Sequence, residues 1–206
     1  MKSPILRIFC LIFISSSVFS QEKIDKFYTE KGEELSRNEF YEPPGNNEYL
    51  AVYIEKDSIT VGIRVQKEKY GRLEDSTFNA LRLYLNSMNA EKIGEDDLIV
   101  INFLTGVTLE EQNRNARSSW NIFEGNYIRK LKKVADVSQY WISTLPKEKL
   151  KYFHSNKIDW KQDKQGMIPE VFSPYGLKYG YYIIIRPNGD YYYEIVNSEF
   201  GKKPRR

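Results

Sequence analysis

Near its carboxyl end the chain carries two β-rich runs around one turn: residues 181–186 and 191–196 flank Pro187-Asn188-Gly189-Asp190. Asn-Gly between such runs is the strongest short-range hairpin signal, because both residues accept positive φ and the turn they make matches the twist of the strands. An antiparallel pair must therefore close the fold. A second constraint is Leu98-Ile99-Val100-Ile101-Asn102-Phe103, an almost continuous apolar run that ends at Thr105-Gly106. Such a run suits a central strand covered on both faces. The two features ask for a mixed sheet with helices laid against it, the α/β class.

Other segments fill in this scheme. Residues 49–66 read as a hairpin: 49–54 is strand-rich, Glu55-Lys56-Asp57-Ser58 is a polar turn, and Ile59, Val61, Ile63 and Val65 then alternate with Thr60, Gly62, Arg64 and Gln66. That alternation puts the four aliphatics on one face and leaves the other to solvent. Asp75 and Ser76 are placed to cap a helix that reaches about Met88, with Phe78, Leu81, Leu85 and Met88 on one stripe. A second helix is expected at about 123–135, from Phe123, Tyr127, Leu131 and Val134, after a polar stretch over 107–121. A short strand at 140–143 completes a strand–helix–strand unit, which implies parallel strands. Pro146 is placed to open a short helix through Tyr152, and residues 159–172 read as irregular.

Residues 21–48 look peripheral. Residues 24–29 suit a strand, 30–33 a turn, and Glu34-Leu35 its return. Ser36 with Glu39 three positions on is a capping-box pair, and Pro43-Pro44-Gly45 breaks regular structure beyond it. The expected division is thus 1–20 as a leader, 21–48 as a peripheral segment, 49–200 as one α/β domain and 201–206 as a basic tail.

The leader has the layout of a secretory signal peptide: Lys2, then an apolar run over residues 8–14, then Val18-Phe19-Ser20, with cleavage expected before Gln21. The run is far shorter than the roughly 20 residues of a membrane-spanning helix, and Cys10 sits inside it, not where a lipoprotein cysteine belongs. Removing 20 of the 206 residues leaves 186, enough for one well-packed domain. Lys2 and Arg7 leave as well, so the net charge falls from +3 to +1. A chain this balanced has no clustered basic face for nucleic acid. Its one basic cluster, Lys202-Lys203-Pro204-Arg205-Arg206, reads as a solvated terminus. The expected destination is the periplasm or the exterior, with no stable membrane span after cleavage.

Cys10 is the only cysteine, so the mature chain has none for disulfides, thiol redox chemistry or thiolate metal sites. His154 is the only histidine, too few for an HExxH zinc site, and no GxSxG, P-loop or dinucleotide fingerprint is present. No Asn-x-Ser/Thr glycosylation site occurs either. Neither a cofactor nor a metal is expected. Acids for glycoside hydrolysis would have to come from Asp159, Asp163, Glu170, Asp190 or Glu194, whose spacing alone does not place two across a cleft.

Two places are candidates for binding. In α/β sheets ligands gather at the carboxyl ends of the strands, which marks the loop Thr105-Gly106-Val107-Thr108 and gives Thr105, Thr108, Tyr179 and Tyr181 as candidate ligand-binding residues. A plain connecting loop is the competing reading. Tyr179, Tyr181, Tyr182, Tyr191, Tyr192 and Tyr193 crowd the terminal hairpin. They serve either sheet packing or an aromatic platform for a sugar or peptide.

Three stretches, Phe27-Tyr28-Thr29-Glu30-Lys31-Gly32-Glu33-Glu34-Leu35-Ser36, Ile99-Val100-Ile101-Asn102-Phe103-Leu104-Thr105-Gly106 and residues 160–193, resemble a group of uncharacterised secreted Bacteroidetes proteins. Those share a turn-and-helix opening and a Pro-(Asn/Asp)-Gly terminal hairpin. Over about residues 76–200 the order of elements is also similar to the thioredoxin-like fold. The resemblance implies a loop for redox cysteines after the strand at 98–103, and residues 176–189 resemble that fold's last hairpin. No cysteine follows Gly106, and Gly180 or Tyr181 stands where such folds place a cis-proline, so the redox activity does not carry over.

The expectation is therefore an α/β fold with a mixed sheet and flanking helices, thioredoxin-like in its second half, with an N-terminal β-hairpin extension. The expected function is non-catalytic binding of a protein, peptide or glycan of the bacterial envelope. The alternatives are an envelope polysaccharide or peptide hydrolase using acidic residues, and a lapsed thioredoxin-like protein that still holds polypeptides.

Overall fold

The structure, a computed structural model, describes residues 24–43, 45, 48–56, 59–105, 130–150, 158–177 and 180–196. Over the described residues it is a mixed α/β structure with two mixed sheets and few helices. The first sheet has the order β2-β1-β4-β3, built from β1 (Ile24–Thr29), β2 (Glu34–Leu35), β3 (Tyr49–Lys56) and β4 (Ile59–Gln66). The second has the order β5-β10-β9-β6-β7-β8, built from β5 (Glu68–Arg72), β6 (Leu98–Leu104), β7 (Val137–Ser143), β8 (Trp160–Gln162), β9 (Gly180–Ile185) and β10 (Asp190–Val196). Helix α1 (Arg37–Tyr41) lies in the first half. Helices α2 (Asp75–Met88) and α3 (Met167–Phe172) accompany the second sheet.

The N-terminal strands are no loose appendage. β1 pairs in parallel with β4 from Ile24↔Ile59 to Thr29↔Arg64, and β3 pairs antiparallel with the other side of β4. The capping box forms as its sequence asks: the Glu39 amide donates to Ser36 Oγ at 3.3 Å and the Ser36 amide to Glu39 Oε2 at 2.8 Å. The helix so fixed sets Phe40 over β4. A Cβ at Gly62 would stand 2.7 Å from the Phe27 ring and 2.9 Å from that of Phe40, so only glycine admits both rings. The β4 face expected to be wet is thus partly covered. Val65, on the aliphatic face, is fully buried in the main core.

Lys67 alone separates β4 from β5, and it joins the sheets: its amide donates to the Glu48 carbonyl, and its carbonyl accepts from the Ile195 amide. Glu30, in the β1–β2 turn, adds a tether. Its carboxylate pairs with Lys69 of β5 at 2.5 Å, and its carbonyl accepts from the Tyr175 hydroxyl at 2.8 Å.

In the second sheet β6 is central, parallel to β7 and antiparallel to β9, and is buried on both faces as its composition requires. Gly189 holds φ +85° in the hairpin turn, the left-handed conformation for which glycine is suited. One face of the sheet packs Ile99, Ile101, Phe103, Ile142, Ile183 and Ile195 against Leu81 and Leu85 of α2 and Ile168 and Phe172 of α3. Each such side chain contributes about 1.5–3 kcal/mol on burial.

Four local expectations are corrected. Helix α2 takes Glu74 as its N-cap, without a side-chain cap bond, so neither Asp75 nor Ser76 caps it. Asp75 instead lies in the first turn, where a negative charge suits the helix dipole. Residues 159–172 are not irregular, since they contain β8 and α3, elements too short to show a period. From Pro146 a 3-10 turn covers Lys147–Lys149. The strand expected at 140–143 begins earlier, at Val137. Most of the helix expected at 123–135 lies outside the described residues, as do His154 and the basic tail.

Candidate ligand-binding face

The strand register sorts the hairpin tyrosines onto opposite faces. Tyr181 and Tyr193 enter the core, where the Tyr181 ring stacks on Phe103 at 4.8 Å and lies 5.1 Å from the Tyr193 ring. Tyr191 points the same way and meets Phe172 edge-on at 5.4 Å. Tyr182 and Tyr192 alternate to the other face. There Tyr192 meets Tyr70 of β5, a residue 79% exposed, at 4.9 Å between ring centres, and lies 5.7 Å from the Tyr182 ring.

On this second face one cross-strand row passes through all six strands: Glu68, Glu194, Tyr182, Asn102, Trp141 and Trp160, each directly opposite the next. Glu194 anchors its outer part. Its Oε2 accepts from the Tyr192 hydroxyl at 2.7 Å and also from the Tyr182 hydroxyl. Partial burial, then hydrogen bonding to Glu194, pushes the Tyr182 hydroxyl far above the usual tyrosine range. Tyr192 is raised too, chiefly by burial, with the Glu194 and Glu68 charges adding to the shift. Both hydroxyls therefore remain proton donors at any physiological pH.

Asn102 is the inner member of the row. It is 4% exposed, and among the described residues neither its amide nitrogen nor its amide oxygen has a hydrogen-bond partner. An unpaired buried polar group costs about 1–3 kcal/mol. The residue is thus unfavourable where it stands, in a strand whose other members are all apolar. Trp141 and Trp160, their rings 5.6 Å apart and edge-on, close the far end of the row.

The carboxyl edge of the parallel strands is a separate place. There Asp163, buried just after β8, accepts from the Met167 and Ile168 amides at 3.1 and 3.0 Å and from the Tyr84 hydroxyl at 2.5 Å. Its carboxylate ties β8, α2 and the start of α3 together. The Tyr84 hydroxyl is pushed up to about 12 by burial, then by its bond to Asp163 and that group's charge.

The expected site residues divide as follows. Thr105 is half-buried just past the end of β6, and Tyr181, the second residue of the adjacent strand β9, stands two register positions away from it, so both reach the same edge. The Tyr181 ring turns into the core and is 1% exposed. Thr108 and Tyr179 lie outside the described residues. Among the acids, Asp159 pairs with Lys161 at 2.9 Å, and Asp190 accepts from Asn188 at 2.8 Å. Asp163 is held from the α2 side of the sheet while Glu194 stands on the other, so the sheet separates these two carboxylates.

Sequence reasoning missed Asn102, Tyr70 and the pairing of Glu194 with Tyr182 and Tyr192. Asn102 had a legible signal, as the single polar residue in the run at 98–103. Tyr70 had none, because β5 follows β4 after one residue and shows no boundary of its own. Among the described residues no group of three or more His, Cys, Asp or Glu is placed to hold a metal, and no helix is long and apolar enough to cross a membrane. The chain matches no family model, no curated protein and no solved structure.

Proposed function

We propose that this chain is a secreted, non-catalytic binding protein of the bacterial envelope, periplasmic or extracellular, and that it holds its ligand on the polar face of the six-stranded sheet. The observation that carries the reading is Asn102. A residue of purely structural purpose in the central strand would be aliphatic, as its neighbours are. An amide with no partner among the described residues, directly opposite Tyr182, suits recognition better than packing. The leader over residues 1–20 supports secretion.

The scaffold reading is a thioredoxin-like second half whose redox chemistry is gone. It is supported by the order β7-β6-β9-β10, with β6 and β7 parallel and the next two strands antiparallel, and by the absence of cysteine after Cys10. The resemblance to secreted Bacteroidetes proteins agrees with the same destination.

The test is a titration of the purified protein with envelope oligosaccharides and with short peptides, followed by NMR. Saturable shifts at Tyr182, Tyr192 and Glu194 that vanish in Tyr192→Ala support the reading. Turnover of any of these compounds, abolished by one point change, would sink it.

A further inference from the structure

We infer that the outer end of this face recognises the cationic side chain of a polypeptide, a lysine or arginine, with Asn102 receiving an adjacent peptide group. The inference rests on the binding function proposed above and names its ligand class. Three alternate cross-strand pairs between β5 and β10, all on this face, carry the argument: Arg72 stands opposite Asp190, Tyr70 opposite Tyr192, and Glu68 opposite Glu194.

The first pair joins opposite charges, as stable antiparallel pairs do. The last sets two carboxylates directly opposite each other, an arrangement that destabilises a sheet. Among the described residues neither Glu68 nor Glu194 belongs to an ion pair. Lys69 alternates to the other face, where it serves Glu30 and lies 5.1 Å from the Tyr193 ring centre. The negative charge is left facing outward beside the rings of Tyr70, Tyr192 and Tyr182.

Carboxylates beside tyrosine faces complement an ammonium or guanidinium ion, through charge and through the negative face of each ring. A neutral sugar answers the rings but not the charges. The row then leads inward through Tyr182 to Asn102, whose amide offers one donor side and one acceptor side, the complement of a peptide group. A single ligand that satisfies both ends is a basic polypeptide segment.

The experiment titrates the purified protein with three probes followed by NMR: Nα-acetyl-lysine N-methylamide, its norleucine counterpart and n-butylammonium. The lysine amide should shift Glu68, Tyr70, Tyr192 and Glu194 and should weaken as salt is raised. The norleucine compound should bind at least about tenfold more weakly. Glu194→Gln and Tyr70→Ala should each weaken the lysine amide several-fold, and both concern partly or largely exposed side chains in a sheet that survives them. Asn102→Leu should weaken the lysine amide while leaving n-butylammonium unchanged. Equal binding of the lysine and norleucine compounds on this face would overturn the inference yet leave the binding function standing. No shift on this face with any of the three, while an envelope oligosaccharide does shift it, overturns the inference in the same way. Silence of the face toward every compound removes both.

Discussion

The two faces of the six-stranded sheet are made from the same strands and both carry tyrosines, yet they do opposite work. On one, Tyr181 and Tyr193 are packed among Phe103, Ile183 and Ile195. On the other, Tyr182 and Tyr192 hold a carboxylate and flank an exposed ring. Composition cannot separate these roles, and a shift of one residue in register would exchange them. The difference teaches that the tyrosine crowd is two populations, one structural and one chemical, divided by the pleat.

Alkaline pH should break the comparison most completely. The folded state raises the hydroxyls of Tyr181 and Tyr193, both chiefly by burial, and Tyr84 to about 12, while the unfolded chain ionises near its ordinary value of 10.0. Raised acids keep their protons longer when folded. Their contribution to stability is therefore intact below about pH 10 and is lost as pH rises beyond it. Absorbance of tyrosinate and circular dichroism should change together, with the core-face tyrosines ionising only on unfolding. Early ionisation of most tyrosines without loss of structure would contradict the burial described.

Next in size, Tyr181→Ala should cost about 3–5 kcal/mol in urea unfolding, by analogy with other large-to-small core changes. Asp163→Ala should cost about 1–3 kcal/mol, because it strands the Met167 and Ile168 amides and the Tyr84 hydroxyl. Asn102→Leu should leave stability unchanged or raise it by about 1 kcal/mol, since its amide bonds to none of the described residues. A large destabilisation there would show that the amide is structural after all. Smallest, Tyr70→Ala should change stability by less than about 0.5 kcal/mol, as exposed substitutions do. Its effect belongs in binding.

Much of this could be read beforehand where the signal is local. Asn188-Gly189 fixed the last hairpin, Ser36 and Glu39 the start of α1, and the run at 98–103 the central strand. These depend on turn geometry, a cap and sustained burial, all confined to a few residues. The parallel pairing of β1 with β4 depends on segments some 35 positions apart, and no nearby residue announces it. β5, β8 and α3 are too short or too closely joined for periodicity to show. The candidate site suffered most. The place of Tyr181 at a strand end marks it for binding, but strand alternation turns it inward. Asn102, the residue that marks the polar face, stood out only as one polar letter among aliphatic ones.

The single-residue passage at Lys67 has a mechanical consequence. The chain crosses between sheets with no slack, and both backbone groups of Lys67 are engaged, one by Glu48 and one by Ile195. A force applied between residue 24 and the second sheet would load the parallel β1–β4 pair along its length. Its six paired residues would then yield together in shear, not one after another as an opened zipper does. The first sheet is thus built to be dragged with the second: tension on the amino-terminal end arrives at β5 and β10, the two strands that carry Glu68, Tyr70, Tyr192 and Glu194.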